Sequence, residues 1–129
     1  MKKQANSWIE AAAADLLTIQ EIINNELLTQ IVAFHSQQAI EKCFKAIIEF
    51  NDVPIPKIHN LLTLSEKIKD FVKIDIDYSI IEQLNSLYLD SRYPSELGLL
   101  PDGKPTIEIA NKFFEHAQSI YNEILKKIQ

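Results

Sequence analysis

One uninterrupted stretch, from Leu28 to Phe50, most constrains what this chain can fold into, because it contains neither glycine nor proline. Its apolar residues recur at helical spacing and, placed about 100° apart on a wheel, cover an arc of roughly 180°. The residues on this arc are Val32, Ala33, Ala39, Ile40, Cys43, Phe44, Ile47, Ile48 and Phe50. An apolar arc that wide packs against several neighbours at once, so the sequence predicts a long central helix from about Leu28 to Asn51.

Helical patterns and capping residues account for most of the remaining chain. Ser7 and Glu10 have the spacing of a capping box and predict the start of a first helix there. Asn60 and Asp77 are suited to cap a third and a fourth helix. A last helix is predicted from near Thr106 to Ile128, where apolar residues again recur at helical spacing.

Proline marks the main breaks between these helices. Pro54 and Pro56 require an extended segment, because each disfavours helix at the residue before it. Tyr93-Pro94 is expected to end the fourth helix, and the segment from Ser95 to Lys104 to form a long loop. Short connections elsewhere and the lack of any alternating strand pattern favour one all-α domain over residues 1–129. The predicted architecture is an antiparallel, up-and-down bundle of four to five helices.

The overall charge and the single cysteine limit the classes of function that this chain can have. A net charge of -5 and a pI near 5.1 argue against bulk electrostatic binding of nucleic acid. Arg92 is the only arginine, and hence the one position that can offer a planar fork to a phosphate or carboxylate. Cys43, the only cysteine, lies in an apolar helical stretch and is interpreted as inert core. With no signal peptide and no membrane-spanning run, a cytoplasmic protein is expected.

The polar side chains of the central helix allow two interpretations. Gln37 and Glu41 fall within or at the edge of the apolar arc and are predicted to be polar groups held at an interface. The remaining polar residues share the other face, and they are His35, Gln38, Lys42, Lys45 and Glu49. They could form a solvated face with helical pairs such as Glu41 and Lys45. Alternatively, Lys42 and Lys45 could receive a phosphate together with Arg92, and spacing alone leaves both interpretations open.

Two histidines lie outside the central helix, and neither is predicted primarily as a catalytic residue. His59 directly precedes the predicted cap Asn60, so it is interpreted as fixing the start of the third helix, with catalysis as the alternative. His116 lies on the polar side of the last helix and is expected to be solvated.

Three segments together resemble a HEPN domain. They are SQQAIEKCFKA from Ser36, HNLLTL from His59 and YLDSRYP from Tyr88. The resemblance spans nearly the whole chain and is more specific than generic helical patterning. It implies a bundle of four to five helices, frequent homodimerisation and a relationship to the helical domain that accompanies small nucleotidyltransferases. Nucleotides or nucleotidylated small molecules are the implied ligands, and no metal or cofactor is implied.

The resemblance also implies particular site residues. The matching polar positions are Gln38, Glu41, Lys42 and Lys45 in the second helix, the intervening His59, and Tyr88, Arg92 and Tyr93 around the fourth helix. Many HEPN proteins are metal-independent ribonucleases in which an arginine is followed, after four to six residues, by a histidine. Here the corresponding positions after Arg92 hold Leu97, Gly98 and Leu99, so the general acid or base of that motif is absent. The chain is therefore not expected to be an enzyme.

Three hypotheses follow. The leading one is a non-catalytic module that binds a nucleotide or substrate, acts with a nucleotidyltransferase and pairs with itself. In it, Arg92 and Lys45 contact phosphate, and Tyr93 or Tyr88 stacks a base. The first alternative is a metal-independent ribonuclease toxin of a toxin-antitoxin pair, acting on RNA with Arg92 in its site and His59 carrying the proton. The second alternative is a dimeric scaffold that binds no ligand.

Overall fold

The computed structural model of the chain describes residues 3–91 and 104–129, and for residues 88–91 it describes the backbone only. The described residues form five α-helices and contain no strand: α1 Lys3–Ile22, α2 Thr29–Phe50, α3 Leu61–Ile68, α4 Tyr78–Ser91 and α5 Ile107–Ile128. A short 3-10 turn, Glu26–Leu28, precedes α2. The predicted all-α class is thus confirmed, and the predicted central helix differs from α2 by only one residue at each end.

The second helix lies at the centre of the bundle and packs against all four other helices. Its buried residues include every member of the predicted apolar arc except Phe50, which is half-buried. The helices α1 and α2 run antiparallel, because the early Trp8 of α1 lies beside Lys45 in α2, whereas the later Asp15 contacts Lys42. Burial around so much of one helix leaves few places where its polar side chains can meet water.

The predicted starts of the third, fourth and last helices are confirmed by their caps. The side-chain oxygen of Asn60 accepts hydrogen bonds from the backbone N–H groups of Leu62 and Thr63 at 2.9 and 3.2 Å. Asp77 caps α4 in the same way, and Thr106 caps α5. Each cap satisfies amides that the first turn of a helix leaves without a partner.

The predicted start of the first helix is wrong. The helix α1 begins at Lys3, so Ser7 lies inside it, and its Oγ donates to the carbonyl of Lys3 at 3.1 Å. Glu10 accepts from the side chain of Asn6 and not from Ser7. The residues before Ser7 include no helix breaker, so the helix extends upstream and the apparent capping box is an internal pair of polar residues.

A left-handed residue ends α2 and directs the chain toward α3. Asp52 has a φ of 59°, and its N–H donates to the carbonyl of Glu49 at 3.1 Å. The N–H of Val53 donates to the carbonyl of Ile48 at 3.2 Å. These two bonds form a Schellman motif, which satisfies the last carbonyls of the helix. The proline-containing segment that follows leads to His59 and the start of α3.

The connection between α3 and α4 is attached to α5 through two of its backbone amides. The N–H of Asp75 donates to Glu123 Oε2 at 3.1 Å, and the N–H of Asp77 donates to His116 Nε2 at 3.0 Å. His116 is therefore half-buried and hydrogen-bonded, and its predicted role as a solvated residue is wrong. Burial lowers the pKa of His116, although the nearby carboxylates of Asp77 and Glu123 act in the opposite direction.

Replacing His116 with glutamine should reduce the sensitivity of the fold to acid. Because the pKa of His116 is lowered in the folded state, the unfolded chain binds this proton more readily. The resulting stability is fully present above the ordinary histidine pKa of about 6.5 and is lost as the pH falls below it. Urea unfolding between about pH 7.5 and 5 should therefore show a steeper loss for the wild type than for His116→Gln. Equal losses in the two proteins would contradict this role.

Two further expectations concern Cys43 and the membrane. Cys43 is fully buried, and burial raises the pKa of its thiol well above the usual range, which confirms its interpretation as inert core. Among the helices that the structure describes, none is long and apolar enough to cross a membrane.

Candidate functional site

Two groups of polar residues are held against α2, each built around one buried carboxylate. We call the first the Glu41 cluster, which consists of Gln37, Gln38, Glu41, Lys45 and His59. We call the second the Asp15 cluster, which consists of Asp15, His35 and Lys42. In each cluster a carboxylate is contacted by one lysine and one histidine.

Glu41 is the centre of the first cluster, and its side chain is only 6% exposed. Its Oε2 accepts from Lys45 Nζ at 3.0 Å, one helical turn away, and its Oε1 accepts from Gln37 Nε2 at 3.1 Å. The ammonium of Lys45 also lies 5.6 Å from the centroid of the Trp8 ring, a cation–π contact across the α1–α2 interface. A buried carboxylate needs such a set of partners, because charge removed from water is costly when it is unpaired.

The imidazole of His59 lies against the same carboxylate. His59 Nδ1 is 3.1 Å from Oε2 and 3.2 Å from Oε1 of Glu41. Because a carboxylate oxygen accepts, we expect the hydrogen of this contact to lie on Nδ1. The side chain of His59 is 53% exposed, in contrast to Glu41 beneath it. The cluster thus presents one accessible imidazole above a buried ion pair.

The start of α3 is attached to α4 directly beside His59. Asn85 in α4 accepts from the backbone N–H of Leu61 at 3.0 Å and donates to the side chain of Asn60 at 3.1 Å. The cap of α3 is therefore also a contact with α4. His59 contacts α2, and the two residues that follow it contact α4.

Gln37 is the buried residue that hydrogen-bonds to three other members of the Glu41 cluster. It is buried, as predicted, and its Nε2 donates both to Glu41 and, at 3.3 Å, to the backbone carbonyl of His59. Its own amide oxygen accepts from Gln38 Nε2 at 2.7 Å. The prediction that Gln37 is a polar group held at an interface is confirmed by its bond to the His59 carbonyl, just before α3.

The Asp15 cluster joins α1 to α2. Asp15 Oδ1 lies 2.8 Å from His35 Nδ1, and Oδ2 accepts from Lys42 Nζ at 2.7 Å. The carboxylate is buried, whereas His35 and Lys42 are about a quarter exposed. The ring of Phe34 meets the His35 ring edge to face at 5.2 Å. This arrangement clamps the middle of the two helices together.

The structure brings four of the predicted site residues into one cluster and separates the others. Gln38, Glu41, Lys45 and His59 meet in the Glu41 cluster. Lys42 belongs to the Asp15 cluster. The predicted helical pair of Glu41 and Lys45 is present, but the interpretation of Lys45 as part of a solvated face is wrong, because this residue is buried between α1 and α2.

The remaining predicted site residues, Arg92 and Tyr93, lie outside the described residues, as does the predicted loop from Ser95 to Lys104 except for Lys104 itself. Tyr88 lies in α4, but its side chain is outside the described part. Their roles, and the phosphate contacts of Lys42 and Lys45, stay predictions. Among the described residues no group of three or more histidine, cysteine or carboxylate side chains is arranged to hold a metal ion.

Asp15 is a member of the polar network that was not among the predicted site residues. A signal for it exists, since Asp15 stands next to Leu16 and one turn after Ala12, both of which are buried core residues. An acidic residue so close to an apolar stripe requires a cation on the facing helix. That cation is Lys42, which lies with His35 on the face of α2 that contacts Asp15.

Removal of the Asp15 charge should destabilise the protein measurably. In Asp15→Asn, Lys42 and His35 lose their carboxylate at a partly buried helix interface, and we expect a loss of about 2 kcal/mol in the free energy of unfolding. A double-mutant cycle with Lys42→Met, followed by urea denaturation, isolates the pair. Lys69→Met is the control, since Lys69 pairs with Glu66 on the exposed surface and should have little effect. Equal small effects at both sites would argue against a clamp.

The fold and the clusters define a small helical bundle domain with a polar network on its central helix. The sequence matches the HEPN domain model over residues 5–128, and the chain belongs to the HEPN domain family. Its fold is similar to the crystal structure of TT1696 from Thermus thermophilus, with a TM-score of 0.80 and 23% identity, covering 98% of this chain and 99% of that chain. It is also similar to ST0689, an archaeal HEPN homologue, with a TM-score of 0.69 and 22% identity over the full length of both chains. No curated protein matches the sequence.

Proposed function

We propose that this HEPN domain protein is a nucleotide- or substrate-binding module that acts together with a small nucleotidyltransferase. The observation that carries the proposal is the Glu41 cluster, in which a half-exposed imidazole stands on a buried ion pair. An accessible polar group supported by a fixed, buried network is typical of ligand sites. Gln38, at the exposed side of Gln37, adds an amide to the same site.

The only arginine follows α4 directly in sequence. Asn85 of α4 contacts the start of α3 next to His59, and Ser91 lies six residues, or about 9 Å of helix, further on. Arg92 is the next residue in the chain. In this proposal Arg92 supplies the planar fork for a phosphate, and Tyr88 or Tyr93 stacks on the base.

The ion pairs of Lys42 and Lys45 limit what these two lysines can contribute to phosphate binding. Lys45 is buried against Glu41 and Trp8, and Lys42 is paired with Asp15. A cation already paired with a carboxylate attracts a phosphate less strongly than an unpaired one. The proposal therefore assigns the main phosphate contact to Arg92, with Lys45 acting chiefly through Glu41.

An apolar row that begins in the 3-10 turn before α2 and continues along α2 supports the proposed homodimer or partner contact. Leu27, Ile31 and Phe34 recur at helical spacing, and they are 73, 44 and 40% exposed. Exposed apolar side chains in one row are typical of protein interaction surfaces. In the proposal this row receives a second copy or the nucleotidyltransferase, in the cytoplasm.

Isothermal titration calorimetry with ATP, GTP and the corresponding monophosphates tests the binding role. The wild type should bind at least one of these nucleotides, and Arg92→Ala should weaken binding by tenfold or more, roughly the effect of losing a hydrogen bond to a charged group. Lys127→Ala removes the same charge from the exposed end of α5 and serves as the matched control. Absence of binding by the wild type, or equal affinities of wild type and Arg92→Ala, would refute the phosphate role.

One observation favours the ribonuclease alternative. The contact between Glu41 and His59 gives this histidine an oriented, accessible imidazole, which is the kind of group that general acid–base catalysis requires. A ribonuclease toxin should cleave RNA in the presence of a metal chelator, and His59→Ala should abolish the cleavage. If purified protein leaves RNA intact under all conditions tested, this alternative fails.

A further inference from the structure

Gln37 is a buried amide whose hydrogen bonds all lead to predicted site residues. The residue is only 1% exposed and lies between core positions of α2. Its partners are the carboxylate of Glu41, the backbone carbonyl of His59 and the side chain of Gln38. An apolar side chain of similar volume would fill the same space without the cost of burying an amide.

We propose that Gln37 is a positioning residue of the ligand site, which fixes His59 and Gln38 relative to Glu41. This inference rests on the proposed function, because it concerns the same site. Gln37 does not touch the ligand in this proposal and acts through the residues that do.

The geometry of the amide explains how one side chain can do this. The Nε2 atom of Gln37 donates to two acceptors on different elements, the Glu41 side chain in α2 and the carbonyl of His59 before α3. Glu41 in turn accepts from the ring of the same histidine. His59 is thus attached at its backbone and at its ring, and two attachments fix both the position and the rotation of the imidazole.

The amide oxygen of Gln37 orients Gln38. Because Nε2 of Gln37 faces two acceptors, its oxygen must point the other way, where it accepts from Gln38 Nε2 at 2.7 Å. A glutamate at position 37 would replace the double donor with an oxygen beside Glu41. A methionine would remove both ends of the connection while keeping the length of the side chain.

The tautomer of His59 provides a test that requires no ligand. Nitrogen-15 NMR of the neutral imidazole should show the hydrogen on Nδ1 in the wild type, because Glu41 can only accept. In Gln37→Met and Gln37→Glu the ring should lose this fixed orientation, and the population should shift toward the hydrogen on Nε2. A wild type with the hydrogen on Nε2 would overturn the inference even if neither variant folds.

Affinity separates positioning from simple stability. By calorimetry with the nucleotide that the wild type binds, Gln37→Met should bind at least about tenfold more weakly. The matched control is Ile128→Ala, a buried change at the end of α5, compared at equal fractions of folded protein. It should keep wild-type affinity despite its lower melting temperature.

The outcomes distinguish this inference from the proposed function. If Gln37→Met keeps both the wild-type tautomer and the wild-type affinity, Gln37 is only a core residue and the inference is overturned. If the wild type binds no nucleotide, the proposed function fails, and the tautomer measurement alone decides whether Gln37 positions His59.

Discussion

The enclosure of α2 is the constraint on which the rest of the structure depends. This helix packs against four others, so most of its circumference is removed from water. Its carboxylate and ammonium groups can stay there only if they pair with one another or with groups from neighbouring elements. The Glu41 and Asp15 clusters are the two solutions to this requirement, and between them they connect α2 to α1 and to the segment before α3.

The same requirement determines what the clusters can do chemically. The carboxylate of Glu41 is paired with Lys45, Gln37 and Nδ1 of His59. The carboxylate of Asp15 is paired with Lys42 and His35. The positive charge of both lysines is therefore largely compensated within the described part of the chain. A site that binds an anion must draw its main cation from elsewhere, and Arg92 is the only arginine.

Periodicity and capping chemistry predict the helices well because both depend on local sequence. The apolar arc of α2, the caps Asn60 and Asp77, and the start of α5 near Thr106 all follow from residues close together in the chain. Apart from the start of α1, where an apparent capping box lies inside the helix, the errors have a common cause. These errors concern features that depend on which elements face each other in space. They are the burial of Lys45, the bond from Asp77 to His116 and the role of Asp15. One sequence pattern does not specify that pairing.

The structural and functional interpretations of the polar cluster are less opposed than spacing alone suggests. A network that merely filled a core would have no reason to end at a half-exposed side chain, yet the bonds from Gln37 and Glu41 converge on His59. Conversely, an accessible imidazole on a flexible loop would lose affinity to the entropy of ordering it on binding. In the proposed site, the buried amide and carboxylate remove that cost before a ligand arrives. The hydrogen bonds that make α2 stable at its polar edge are therefore the same ones that preorganise the proposed site.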